Sequence, residues 1–421
     1  MGPLFRRRKR STFPTLPRAA GTRYNGATMG RKRTVPRLTV GAATARALRG
    51  GHPWVLPDRF TGSLAGLESG QPLELVGPGG ERLGRALADP GQRVVARRVG
   101  ASDEPFDPTA RAHKALERRR PLSSADESDT YRLVHGEADG LPGLHVDRYG
   151  DALVAVRRAP CAAAFCAPVM RVLREVTQAG TIWEKDHFAD LRRGKVGGRL
   201  VHGDAEVGDE RIVTERGLKY AVRPFGGLAT GLFGDQRANR DRLARLGNPG
   251  RVLNLFSYTG AFSVAALAAG ATEVVDVDLA GPALKTSRYN VRLNELDPAR
   301  HRTERGDAIA YLDRCPPRSL DRIIVDPPTA ARGGGGWSVR KGLPGLLASA
   351  VGKLRDNGVL LICVNDRRAS PGQLEQALRE AARSARRPVA RIVGAGPSPD
   401  YPVLRGFPES RSFVGRILQL R

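Results

Sequence analysis

A carboxylate at the end of one strand and a tight turn at the end of another are the first residues here whose placement could do chemistry. The stretch RVLNLFSYTGAFSVAALAAGATEVVDVD, residues 251–278, contains both. Residues 252–256 are mostly apolar, Phe256-Ser257-Tyr258-Thr259-Gly260 makes a turn, and an Ala-rich segment of helix-forming composition follows. Gly270 stops that helix, and residues 274–277 read as a second strand ending in Asp278. Strand, turn, helix, strand is the opening βαβ unit of a doubly wound sheet, where ligands sit outside the carboxyl ends of the strands. Asp278 and the turn therefore face one crevice, and the carboxylate can accept two hydrogen bonds from ribose hydroxyls. A dinucleotide would need G-x-G-x-x-G for backbone approach to its pyrophosphate. One glycine, Gly260, beside bulky Phe256 and Tyr258, suits S-adenosylmethionine, which has no phosphate. A nucleotide-dependent oxidoreductase is disfavoured on the same ground.

The elements that must position this crevice alternate through the C-terminal half. A helix is expected over 282–294, a strand before Gly306-Asp307, a strand over 321–326, a helix over 341–354, a strand over 358–365 and a helix over 371–385. Residues 389–393 and 412–420 read as an antiparallel hairpin closing the sheet edge. Asp326-Pro327-Pro328 ends an apolar strand; the proline pair removes backbone donors and fixes an open turn, so the Asp326 carboxylate faces the crevice. The expected class is α/β, a Rossmann-like catalytic domain over 226–421 behind smaller domains. Residues 37–103 form short alternating runs with Gly/Pro/Asp turns, a β-rich barrel that includes the tight turn Gly50-Gly51-His52-Pro53-Trp54-Val55. Residues 104–129 are a basic linker helix and 130–225 a small α+β domain, to which residues 219–223 contribute a strand. His135, Glu137 and Asp139 read as a turn whose side chains satisfy its own backbone.

The chain has 421 residues with 69 Lys+Arg against 43 Asp+Glu, a net charge of +26, which implies a polyanionic partner, nucleic acid by default. Thirteen of the basic residues precede Asp58, the first acidic one. Residues 1–36 lack periodicity and read as a disordered basic arm, or as a mis-assigned start with Met29 as the true one. The four cysteines fit neither a disulfide framework nor a metal pattern, which suits a reducing cytoplasm. No apolar run reaches the roughly 18 residues needed to span a bilayer, and the N-terminus has no apolar core of a signal peptide.

GGHPWV, RLVHGEADGLPGLHVDRYGD, TGLFGDQRANR, VLNLFSYTGAFS, NVRLNEL, DPP and GAGPSPDYPV occur here in one order. In this the chain resembles the large-subunit ribosomal RNA methyltransferase I family of class I S-adenosylmethionine enzymes, from about residue 37 onward. The resemblance implies a PUA domain, an RNA-binding module, at the barrel, then a central domain and the catalytic domain. It implies that residues 256–260 form the cofactor loop, that Asp278 holds the ribose, and that Asp307 contacts adenine. Asp307 also reads as the N-cap of the next helix. By the same resemblance Asp326 lies beside the transferable methyl group, and the segment Asp235-Gln236-Arg237 closes over the cofactor, making Gln236 a cofactor contact. Ribosomal RNA is the implied partner, with no membrane role; a homodimer is left open.

One departure bears on mechanism. Family members that make 5-methylcytosine use a cysteine on the strand at 358–365, because cytosine C5 is a poor nucleophile until a thiolate adds at C6. That position falls on Asn365, and Cys363 lies two residues earlier, on the same face about 6.5 Å away. Cys363 sits in the run VLLICV, where a thiol is usually structural. Asp326-Pro-Pro-Thr329, Thr230-Gly-Leu-Phe233 and Asn365, with Arg367 and Arg368 beyond, resemble the K-type enzymes that methylate guanine N7, which needs no covalent activation. The expectation is direct SN2 transfer to a base nitrogen, with Asp326 and Asn365 positioning the base. Trp337, after the glycine tract 333–336, reads equally as a base-stacking residue and as a core anchor. The competing readings are a cytosine-C5 enzyme using Cys363 and a non-catalytic RNA-binding or ribosome-assembly protein.

Overall fold

The computed structural model describes residues 35–125, 127–188, 198–204, 208–227, 229–328, 339–366 and 368–421. The chain divides into two compact units, Met1–Glu206 and Val207–Arg421.

The first unit carries two five-stranded sheets. In one, strand order is Arg37–Thr39, Pro72–Val76, Arg82–Ala88, Ala96–Gly100, Trp54–Val55, around a core of Leu38, Val40, Leu73, Leu75 and Ala86. In the other, Arg199–His202, Thr181–Asp186, Ala152–Arg157, Leu144–Tyr149 and Thr130–His135 lie side by side. The helices Pro108–Ala125 and Ala163–Thr177 share its core through Ala112, Leu116, Phe165 and Leu173. The tight turn at Gly51 aims Trp54 at the second sheet: its indole Nε1 donates to Glu137 at 2.7 Å, and Arg97 Nη1 donates to the same carboxylate at 2.7 Å. Arg97 also reaches Asp89, which accepts the Cys161 N–H. Glu137 thus serves a partner strand, not its own turn as the sequence reading had it. Asp139 does take the His135 N–H, at 2.7 Å, and pairs Arg119 through both oxygens.

The second unit opens with the hairpin Arg211–Glu215 and Leu218–Val222, a separate two-stranded sheet. This corrects the expectation that residues 219–223 extend the central sheet; a short strand's local pattern does not reveal which sheet it joins. The main sheet has seven strands, β1 (Arg251–Leu255), β2 (Glu273–Asp278), β3 (His301–Arg305), β4 (Leu320–Val325), β5 (Leu354–Val364), β6 (Val389–Gly394) and β7 (Val414–Leu420), in the order β3-β2-β1-β4-β5-β7-β6. β7 runs antiparallel to both its neighbours, β5 and β6, so β6 and β7 form the expected closing hairpin. The helices are α1 (Arg237–Ala244), α2 (Ala261–Ala268), α3 (Gly281–Leu293), α4 (Ala308–Arg314), α5 (Val339–Lys353) and α6 (Pro371–Ser384).

The central strands β4 and β5 are covered on both faces, so their apolar residues run nearly unbroken. Ile323, Val325, Leu360 and Ile362 are fully buried, and each contributes about 1.5–3 kcal/mol. Helix α6 starts where Ser370 and Gln373 exchange side-chain and backbone bonds in a capping box with Pro371 at its first position. One polar network interrupts the core. Buried Asp276 on β2 accepts from Asn254 Nδ2 at 2.9 Å and from the hydroxyls of Ser263 and Ser287, and lies 2.9 Å from His301 Nε2. Every member has a partner, which is the condition for tolerating such a network.

Candidate active site

The switch point of the sheet lies between β1 and β4, where strand order reverses, and the turn after β1 opens there. Three of its residues are left-handed: Phe256 (φ 57°), Tyr258 (φ 50°) and Gly260 (φ 71°). Non-glycine residues in that region cost about 1–2 kcal/mol each, so the turn must be over-determined. It is: Ser257 N donates to Val277 O, Tyr258 N to Asp278 Oδ2 at 2.8 Å, Thr259 Oγ1 to Gly231 O, and Asn290 Nδ2 to Thr259 O at 3.0 Å. Strain held this way is characteristic of ligand-binding turns. Gly260 has a reason within the protein. A β-carbon there would lie 2.0 Å from Ser287 Oγ and 2.7 Å from Asp276 Oδ2.

Phe233, Gln236, Phe256, Ser257, Tyr258 and Asp326 line one cleft above this turn, with Asn254 and Arg240 deeper. The Gln236 amide is almost wholly buried and donates from Nε2 to Asp326 Oδ2 at 3.1 Å. Its Oε1 accepts from Asn239 Nδ2 at 2.7 Å and lies 3.6 Å from the Cys363 thiol, a sulfur hydrogen bond. Burial, then the nearby Asp235 charge, push Asp326 up to about 7, against the Gln236 bond and Arg240, which favour its charged form. Burial and then the Asp326 charge push the Cys363 thiol well above its ordinary range. Asn365, one alternation beyond Cys363, is exposed just past the end of β5.

The structure therefore gathers Gln236, Phe256, Tyr258 and Asp326 around one cleft. Asp278 touches the turn by accepting Tyr258 N and holds Ala280 N with its other oxygen. Asp307 caps α4, accepting the N–H groups of Ile309 and Ala310 at 2.9 and 2.8 Å, the second of the two roles read from sequence. Neither Asp278 nor Asp307 lines the cleft itself. Thr329, the glycine tract, Trp337 and Arg367 lie outside the described residues, and Arg368 pairs with Asp366. A larger cavity of about 290 Å³, lined by Arg251, Glu273, Tyr311 and Cys315, opens at the amino ends of the strands. Doubly wound sheets place ligands at the opposite end, where the smaller cleft lies.

Phe233, Phe256, Tyr258 and Phe262 line the smaller cleft with the Asp326 carboxylate and the Gln236 and Asn254 amides, and the Ser257 hydroxyl is buried on its wall with no hydrogen-bond partner among the described residues. Sequence reading placed Ser257 in the cofactor loop 256–260 without singling it out, and it quoted Phe233 and Arg240 within motifs without giving either a place in the cleft.

Proteins called ribosomal RNA large subunit methyltransferase I from Salmonella arizonae and Citrobacter koseri are 32% and 31% identical to the chain, and each alignment covers 91% of it and 98% or 99% of the relative. The chain belongs to that family. Residues 193–403 match the S-adenosylmethionine-dependent methyltransferase family, and residues 38–99 the PUA-like domain. A methyltransferase crystallised with S-adenosylhomocysteine has the same fold, with a TM-score of 0.78 at 24% identity over 91% of this chain and 100% of that one. A second, from Streptococcus mutans, gives a TM-score of 0.76, also at 24% identity, over 91% of this chain and 100% of that one. The methyltransferase is thus a PUA-like domain and a class I catalytic sheet that uses S-adenosylmethionine, as the motifs implied. No helix among the described residues is long and apolar enough to cross a membrane.

Proposed function

We propose that this methyltransferase modifies a base of large-subunit ribosomal RNA in the cytoplasm, by direct transfer to a ring nitrogen with no cysteine adduct. The relatives' name supports the substrate class, and the PUA-like domain and the charge of +26 support RNA as the partner. The observation that carries the mechanism is the state of Cys363. Its thiol is fully buried, bonded to Gln236 and held protonated. A nucleophile must be a thiolate with access to the base. Asn365, exposed just past the end of β5, has a carboxamide that can donate to and accept from a base edge, and it cannot add to C6.

When bound, S-adenosylmethionine supplies a methyl group on a positively charged sulfur. In this reading Phe256, Ser257 and Tyr258 would hold it from the turn, and Asp278 and Asp307 would take the ribose and adenine. Gly260 keeps the turn open, and Gln236 holds the Asp326 carboxylate on the wall of the cleft, where it would stabilise a cation. Asp326 and Asn365 orient the incoming base, which leaves its stack to reach them. The gain comes from alignment of acceptor, methyl and sulfur. The test is Cys363→Ala with methyl incorporation into ribosomal RNA from cells lacking the gene. The variant should retain turnover within about threefold of wild type, because no covalent step is lost. Loss of turnover, with an adduct trapped by wild type on 5-fluorocytidine RNA, would establish cytosine-C5 chemistry instead. No incorporation by wild type, despite binding of the cofactor, would make it a binding or assembly protein.

A further inference from the structure

Helix α1 buries the wrong residues for a helix docked by the hydrophobic effect. Its sequence is RANRDRLA, and its buried side chains are Arg237, Asn239, Arg240 and one leucine, Leu243. Arg237 Nη2 donates to Asp400 Oδ1 at 2.7 Å, with both side chains almost fully buried. Arg240 pairs both oxygens of Glu215 at 2.7 and 2.6 Å, also fully inside. Replacing a buried ion pair by apolar residues of similar volume is often neutral or stabilising, so such pairs are poor stability devices. Their hydrogen bonds are satisfied in one arrangement only, so what they fix is position.

The position fixed is the start of α1. Gln236 occupies its N-cap and makes no side-chain cap bond, because its amide is turned to Asp326. The N–H of Ala238, which a capping side chain would ordinarily take, is accepted by Ser398 Oγ at 2.9 Å from the loop 395–401. Ser398 also donates twice to Asp235 O, from its N–H at 2.8 Å and its hydroxyl at 3.0 Å. Asp400 lies two residues further along the same loop. The motifs DQRANR and GAGPSPDYPV, some 160 residues apart, are thus one device.

We propose that the Arg237–Asp400 pair and the Ser398 hydroxyl are positioning groups for methyl transfer, holding the start of α1 so that the Gln236 amide meets the Asp326 carboxylate. This rests on the reading of Asp326 as part of the transfer site. The pair acts on turnover through that contact and not through the stability of the fold. Releasing it lets Gln236 withdraw, and Asp326, no longer bonded in its charged form, titrates at higher pH.

The experiment compares wild type, Arg237→Met/Asp400→Leu and Ser398→Ala. Urea denaturation, calorimetry with S-adenosylhomocysteine, and kcat, KM and the pH profile of methyl incorporation into ribosomal RNA from cells lacking the gene are measured for each. The double variant should unfold at the same urea concentration as wild type or higher. Its kcat should fall about tenfold or more, as for a misplaced reacting group, and the acid limb of its pH profile should move up. Ser398→Ala should shift both in the same direction by less. A stable double variant with wild-type kcat and pH profile overturns the proposal. So does a loss of kcat that tracks loss of stability and returns on cooling. If the double variant does not fold, Ser398→Ala decides alone, and an unchanged kcat and profile there overturns it. Wild type that binds no S-adenosylhomocysteine refutes the underlying site, a different failure from either of these.

Discussion

Gly260→Ala should be costly for two separable reasons. The residue has φ 71°, where a side chain costs about 1–2 kcal/mol. The new β-carbon would also lie 2.0 Å from Ser287 Oγ, 2.7 Å from Asp276 Oδ2 and 2.8 Å from Ser287 Cβ. None of these atoms is the loose end of a flexible side chain. Ser287 and Asp276 are fully buried and bonded to each other. Overpacking at such a site adds about 1–3 kcal/mol, so the total is about 2–5 kcal/mol in urea unfolding. Ser287→Ala separates the two parts. Alone it removes a hydrogen bond to a charged group, worth about 1.5–3 kcal/mol. Combined with Gly260→Ala it removes the closest clash, so the double variant should cost about 1–2 kcal/mol less than the sum, a coupling of the size seen for contacting residues. Binding of S-adenosylhomocysteine should weaken in Gly260→Ala, because the clash pushes the turn into the cleft. A Gly260→Ala protein within about 0.5 kcal/mol of wild type, the ordinary range for an innocuous change, or strict additivity in the double variant, would refute the reasoning.

Three other expectations follow from the same geometry. The unfolded chain releases the Asp326 proton near its ordinary value of 3.8 and the native chain near 7, so between those values the native state binds more protons and stability falls as pH rises. Urea midpoints of Asp326→Asn measured from pH 5 to 8 should lack that share of the slope; parallel curves for the two proteins would contradict it. Turnover of the wild type should rise through pH 7 as the carboxylate ionises, and a profile flat from pH 6 to 8 would exclude an ionised Asp326 from the transfer step. Glu137→Ala takes from buried Arg97 one of its two carboxylates, leaving Asp89, and takes from the Trp54 indole its bond to Glu137. It should cost the first unit about 3 kcal/mol, the lower end for a broken buried pair, seen as a lower unfolding midpoint.

The catalytic sheet was legible because its signals are local. The apolar runs of β1 and β4, the turn between Phe256 and Gly260, and the acids that end strands all announce themselves within a few residues. What stayed hidden depends on distant partners. Glu137 looked like part of a self-satisfied turn, but its partners stand 83 and 40 residues away. Leu218–Val222 has the composition of any short strand, and only its pairing with Arg211–Glu215 shows which sheet it enters. Gly260 read as a glycine for ligand approach, yet Ser287 and Asp276 already require it. Arg237 read only as part of a segment that closes over the cofactor, because nothing periodic marks Asp400 and Glu215, the acids that receive the arginines of α1. Asp307 was ambiguous because a strand-ending acid and a helix cap occupy the same place in a βα unit.

The order β5-β7-β6 also has a consequence for synthesis. The strand that seals β5 is translated some fifty residues after it, later than the outer strand β6. Until residue 420 has cleared the ribosome, one backbone edge of β5 faces open water beside Leu360 and Ile362. A nascent chain stalled between β6 and β7 therefore displays the kind of bare, apolar strand on which aggregates grow, and slow codons in that interval should lower the yield of active protein.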